Sequence, residues 1–124
     1  MFCLEGEQTL MRIFIGESDR CGRKPLYQAL VELFRQEGFA GATVLKGIMG
    51  FGPSSRIHTD KLLRFSADLP LVIEVVESQE KIDAVLPKLE GMFDGGMITL
   101  ERARVIRYAP KRGGRAESGT TTGH

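Results

Sequence analysis

Two stretches with apolar residues at helical spacing, each set between strand-like runs, predict an α+β fold. Three observations carry this reading. Leu26, Leu30, Leu33 and Phe34 recur every three or four positions, and Ile82, Val85, Leu86 and Leu89 do the same. Between them, Leu69–Val76 (LPLVIEVV) is the strongest strand signal in the chain, rich in Val and Ile. The chain has 124 residues, the size of one compact domain. Folding a chain of that size buries about two-thirds of its surface, enough for a core without a disulfide or metal staple.

The elements follow in order. Leu10–Gly16 reads as a buried strand, partly alternating and rich in Ile and Phe. Glu17–Arg23 is a polar connection containing Gly22. Pro25 suits the first helical position, where its missing N–H costs nothing. The first helix then runs to about Glu37, and Gly38 is placed to terminate it. Ala42–Met49 is the second strand. Gly47, Gly50, Gly52 and Pro53 come next, with Ser54, Ser55, Arg56 and His58 close behind, and read as a long loop. After the third strand, Leu69–Val76, Ser78 is a helix N-cap with Glu80 near the positive end of the helix dipole. Pro87 falls inside this second helix and predicts a kink or a break. Asp94, Gly95 and Gly96 form a tight turn into a fourth strand from Met97 to about Tyr108.

The order β-α-β-β-α-β, joined by right-handed crossovers, gives a four-stranded antiparallel sheet with both helices on one face. This is the ferredoxin-like plait, placed here over residues 1–109. From Pro110 to the end, Lys, Arg, Gly, Ser and Thr dominate, and residues 110–124 read as a disordered tail. The other sheet face has no cover. Leu71, Val72 and Ile73 are apolar on both faces of their strand, so the free face calls for burial, most simply by other copies of the chain.

Composition excludes several classes. The net charge is +1, against a strongly basic nucleic-acid binder and against an acidic tail protein. No apolar run approaches the ~20 residues of a membrane span, and the first residues lack the pattern of a secretory signal, so a cytoplasmic protein without direct membrane insertion is expected. Cys3 and Cys21 are too far apart for a CxxC pair and read as free thiols. No Walker A loop, HExxH or serine-triad signature is present.

Four groups of residues merit a functional reading beside a plain one. Gly50, Gly52, Gly95 and Gly96 can turn backbone N–H groups toward an anion, or simply turn the chain. Arg102, Arg104 and Arg107, on or near the last strand, carry guanidinium forks that suit phosphate or carboxylate; the plain reading is a solvated edge or ion pairs with Glu101 and Glu77. Arg56, Ile57, His58, Lys61, Leu62 and Leu63 give the long loop basic and apolar side chains fit for a partner, or only for solvent. Glu17 and Asp19, beside Arg20, Arg23 and Lys24, are a carboxylate pair more in keeping with a salt-bridged surface than with acid–base catalysis. His58 has no second ligand nearby, so no metal site is read.

With these elements placed, the chain resembles the PII-like superfamily of trimeric signalling proteins. It is most similar to an uncharacterised bacterial and archaeal PII-like family. The resemblance runs from about Leu4 to Tyr108. It is carried by LEGE (Leu4–Glu7), RIFIGESD (Arg12–Asp19), KPLYQALVE (Lys24–Glu32), GFAGATVLKGIMGFG (Gly38–Gly52), LPLVIEVVESQEKI (Leu69–Ile82) and ITLERARVIRY (Ile98–Tyr108). The resemblance implies a homotrimer with its sheets facing a central axis and an adenine nucleotide in the clefts between subunits. It also implies a T-loop, roughly Phe51–Ser66, that contacts a partner such as a membrane transporter or channel. The ligand positions it implies are Gly47, Gly50, Phe51, Gly52, Asp94, Gly95, Gly96, Arg104 and Arg107. Two departures stand out: Met97 replaces a phosphate-binding lysine, and Pro53 and Ser54 replace an Arg-Gln pair.

The function expected is therefore a non-catalytic PII-like signal-transduction protein. It would bind a small anionic metabolite (ADP, AMP, ATP or a cyclic nucleotide), need no cofactor, and regulate a partner through Arg56, Ile57, His58, Lys61 and Leu62. The alternatives are a trimeric metal-handling protein, for which Cys3, Cys21, His58 and the five methionines show no ligand spacing, and a ligand-free scaffold.

Overall fold

A computed structural model describes residues 4–52 and 68–111. Strand β1 spans Gly6–Gly16, a short ribbon pairs β2 (Arg20–Cys21) with β3 (Lys24–Pro25), and helix α1 spans Leu26–Gln36. Strand β4 (Thr43–Lys46), strand β5 (Pro70–Glu77), helix α2 (Gln79–Glu90) and strand β6 (Met97–Val105) follow. The main sheet has the order β4-β5-β1-β6, antiparallel throughout, with β1 and β5 in its centre. With two helices against it, the fold is the α+β plait that the sequence predicts.

One face of the sheet builds the core. Met11, Ile13 and Ile15 of β1 and Leu71, Ile73 and Val75 of β5 alternate inward and meet Leu26, Leu30 and Phe34 of α1 and Ile82, Val85 and Leu89 of α2. Those helix residues belong to the two predicted stripes. Burying each such side chain contributes about 1.5–3 kcal/mol before entropy is charged against it.

The ends of the helices follow from local chemistry. Gly38, at φ +77°, closes α1 in a Schellman motif. Its N–H donates to the Arg35 carbonyl, the Phe39 N–H donates to the Phe34 carbonyl, and the two Phe rings lie 4.9 Å apart. Ser78 caps α2 by accepting from the Lys81 N–H at 3.3 Å. Pro87 does not break α2. Pro87 and Asp83, whose carbonyl loses its ordinary helical donor to the proline, both lie on the exposed side, where water can take the bond.

Several boundaries differ from expectation, each because of pairing across the sheet. The first strand begins at Gly6 rather than Leu10, since the polar residues Gly6–Thr9 pair with Val105–Arg102. The second strand ends at Lys46 rather than Met49. Its partner strand begins at Pro70, whose carbonyl takes a last bond from the Gly47 N–H at 2.7 Å. The fourth strand ends at Val105, opposite the start of β1, though the Tyr108 N–H still reaches Glu5 Oε2 at 3.1 Å. The polar connection 17–23 holds part of the β2–β3 ribbon, turned at Gly22 and Arg23. Arg56, Ile57, His58, Lys61 and Leu62, most of the predicted T-loop, Cys3, and the tail beyond Lys111 lie outside the described residues.

Candidate functional site

The strand register gathers four termini at one end of the sheet. Lys46 pairs with Leu71, Ile15 with Leu71, Gly16 with Pro70, and Phe14 with Met97. Both predicted glycine turns, Gly47–Gly52 and Asp94–Gly96, therefore project from the same end. They leave from opposite edges, since β4 and β6 are the outer strands. The strands they leave from are three strand spacings apart, about 14 Å.

Each turn also has a packing reason for its glycines. Gly47 and Gly50 wrap the ring of Pro70; a Cβ on either would come within 2.8 and 3.0 Å of Pro70 Cγ. Gly96 holds φ +125°, and a Cβ there would lie 2.9 Å from the Phe14 carbonyl oxygen. Asp94 and Gly95 form an exposed bend, and Gly52 is the last residue described in its segment. Around the first turn the surface is apolar: Ile48 is 93% exposed, Phe51 75% and Met49 68%, and Met97 across the sheet 53%. Ile48 and Met49, expected within a strand, emerge instead as a surface feature that the strand reading had hidden.

The arginines stand elsewhere. Arg104 pairs in register with Glu7, eight residues or about 26 Å along β6 from Gly96, and Arg107 lies beyond the strand. Both are exposed. The ion pairs considered for them with Glu101 and Glu77 are not formed, because both carboxylates are engaged. Glu101 meets Arg12. Glu77, 1% exposed, accepts from the Ala40 N–H at 2.9 Å and the Ser78 N–H at 3.3 Å, and faces Lys81 Nζ at 4.0 Å. Lys81 Nζ in turn donates to the Gly38 carbonyl at 2.7 Å, so the pair fixes the loop that leads into β4. Beside Arg102, a recess of ≈ 290 Å³ is lined by Glu7, Gln8, Thr9 and Gln79, with the Thr9 hydroxyl donating to Gln79 Oε1 at 2.6 Å.

The carboxylates after β1 are tied to structure. Glu17 pairs with Lys46 at 2.8 Å, Asp19 Oδ2 accepts from the Gly16 N–H at 3.0 Å, and Asp68 Oδ1 accepts from the Ser18 N–H at 3.0 Å. Cys21 is half-buried in the ribbon. Among the described residues no group of three His, Cys, Asp or Glu side chains is placed to hold a metal ion.

Among the described residues, the sheet face away from the helices has no element packed on it. By register it carries Gln8, Leu10, Arg12 and Phe14, Val72, Glu74 and Val76, Thr43 and Leu45, and Met97, Thr99, Glu101 and Ala103. Arg12 sits on a central strand. Its Nε donates to Glu74 Oε2 and its guanidinium to Glu101 Oε1, both at 2.9 Å. The Glu74 hydrogen bond, above all, holds the Arg12 pKa above its ordinary value, and the nearby charge of Glu101 adds to it against the effect of burial.

Comparison with known proteins finds relatives over most of the chain. Residues 8–105 match the family DUF190, described as "Uncharacterized ACR, COG1993". A UPF0166 protein of Aquifex aeolicus is 37% identical over 100 residues, covering 81% of this chain and 94% of that protein. A UPF0166 protein of Methanocaldococcus jannaschii is 34% identical over 99 residues, 79% of this chain and 91% of that one. A second Aquifex aeolicus UPF0166 protein is 36% identical over 99 residues, covering 80% and 97%. With the match spanning almost the whole plait, the chain belongs to the DUF190 family, which is PII-like.

Proposed function

We propose that this protein is a non-catalytic, cytoplasmic signal-transduction protein that works as a homotrimer. It binds a small anionic metabolite between subunits and passes the signal to a partner, such as a membrane transporter or channel, through the segment that follows Gly52. The placement of the glycine turns carries the reading: they leave the same end of the sheet from opposite edges. Copies packed side by side through their free faces bring the β4 edge of one chain toward the β6 edge of the next. The two turns then flank a single cleft. Backbone N–H groups of Gly50, Gly95 and Gly96 would meet the anion there. Met97 at the head of β6 supplies no charge, so an adenine nucleotide with fewer phosphates than ATP suits the cleft best.

Ligand binding signals only if it favours one conformer of the segment after Gly52 over another. The family, the open apolar sheet face and the absence of a membrane-length apolar helix among the described residues all support this reading.

A ligand-free scaffold is the second reading. One observation favours it: Gly47, Gly50 and Gly96 each have a packing reason to be glycine. Thermal unfolding of the full chain against ATP, ADP, AMP and cyclic nucleotides separates the two. A nucleotide at ~100 times its dissociation constant adds about 2.7 kcal/mol, a clear rise in melting temperature. No rise with any of them leaves the scaffold.

A further inference from the structure

The free sheet face is unusual in its charge. Across its register positions the charged side chains are Arg12 on β1, Glu74 on β5 and Glu101 on β6; β4 contributes Thr43 and Leu45. The three form one cluster, a guanidinium bonded to two carboxylates. One positive against two negative charges leaves a surplus of one negative charge per chain. Leu10, Phe14, Val72 and Val76 surround the cluster on the two central strands and are half-buried already. In the separated chain, water screens the surplus: the side chains of Arg12, Glu74 and Glu101 are 35%, 32% and 56% exposed.

Burying that face against a second copy removes the water. An uncompensated carboxylate is among the most costly groups to bury, and it sheds its charge by taking up a proton. Of the two glutamates, Glu74 lies directly opposite Arg12 in register and is the less exposed. Glu101 lies diagonally across, on the edge strand. We propose that the Arg12–Glu74–Glu101 cluster couples self-assembly to proton uptake, with Glu101 taking one proton per chain as the free faces of two or more copies close on each other. This rests on the self-association reading above.

The sign follows from linkage. A group that binds its proton more tightly in the assembly makes association stronger as pH falls. Each chain that takes up a proton on assembly contributes about a tenfold change in the association constant per pH unit over the range in which that proton is taken up.

The test is subunit exchange. Unlabelled and isotope-labelled full-length protein are mixed at constant ionic strength from pH 8 to pH 5.5, and mixed oligomers are followed by native mass spectrometry. Wild-type exchange slows about tenfold or more as pH falls, because tighter association appears mainly in the dissociation rate. Glu101→Gln removes the surplus charge, so it exchanges slowly at pH 8 and changes little with pH. Arg12→Met raises the surplus to two and exchanges faster than wild type at pH 8. Wild-type exchange independent of pH, or Glu101→Gln with the wild-type pH dependence, overturns the proposal. A wild-type protein that is a single chain at every pH overturns the self-association reading instead.

Discussion

The two faces of the main sheet are made by the same strands and differ in everything else. Toward the helices, Met11, Ile13, Ile73 and Val75 are shut off from solvent, and the buried Glu77 has its hydrogen bonds supplied by backbone and faces Lys81. Toward the open side, alternate residues of those strands are half-exposed and enclose an ion cluster on a central strand. The covered face is a finished core. The open face combines apolar area with a charge arrangement that water still sustains, as expected of a surface that is closed by another molecule.

Neighbours on β1 break the comparison most sharply. Ile13→Ala empties a site in the closed core and should cost about 2–5 kcal/mol, at any protein concentration. Phe14→Ser, one residue away on the open face, should show a loss that depends on concentration if copies close that face, as proposed. Equilibrium denaturation at two protein concentrations checks both. If Ile13→Ala also depended strongly on concentration, the division between the faces would be wrong.

Gly96→Ala comes next. Its φ is unfavourable for a side chain and its Cβ meets a backbone oxygen that cannot swing aside, so a loss of about 1–3 kcal/mol in urea unfolding is expected. Ser78→Ala should cost about 1 kcal/mol by loss of the α2 cap, read in the same way.

The smallest effect belongs to Glu32, on the outer side of α1. Its hydrogen bond to Lys24, and then that to Gln28, hold its carboxyl below the ordinary value. A lowered folded-state pKa gives stability that is present above the unfolded-state pKa and lost as pH falls through the folded-state pKa. Glu32→Gln should therefore narrow the difference in melting temperature between neutral and acidic solution, only slightly because the pair is exposed.

The covered face was legible in the sequence because its signals are local. The stripe Leu26–Leu30–Phe34 and the run Leu71–Val75 declare themselves by spacing, and Gly38 and Ser78 by the chemistry of helix ends. What the sequence hid depends on partners far along the chain. Gly6–Thr9 is polar and becomes strand only because β6 lies beside it, and β4 stops short because Pro70 begins its neighbour. The Arg12 cluster joins three strands, with Glu74 and Glu101 more than sixty positions away from Arg12, and no local pattern announces it. The candidate site was legible as residue types but not as a place. The glycine turns fall at one end of the sheet and Arg104 toward the other, a separation that only the register reveals.

The central claim is that copies of the chain close the open face. Sedimentation equilibrium of the full-length protein near neutral pH tests it most directly, with Phe14→Asp measured beside the wild type. The account predicts an assembly of three 13.7 kDa chains for the wild type and a shift toward single chains for the variant. A wild-type protein that sediments as a single chain at every concentration, or a Phe14→Asp variant that assembles as well as wild type, would contradict it.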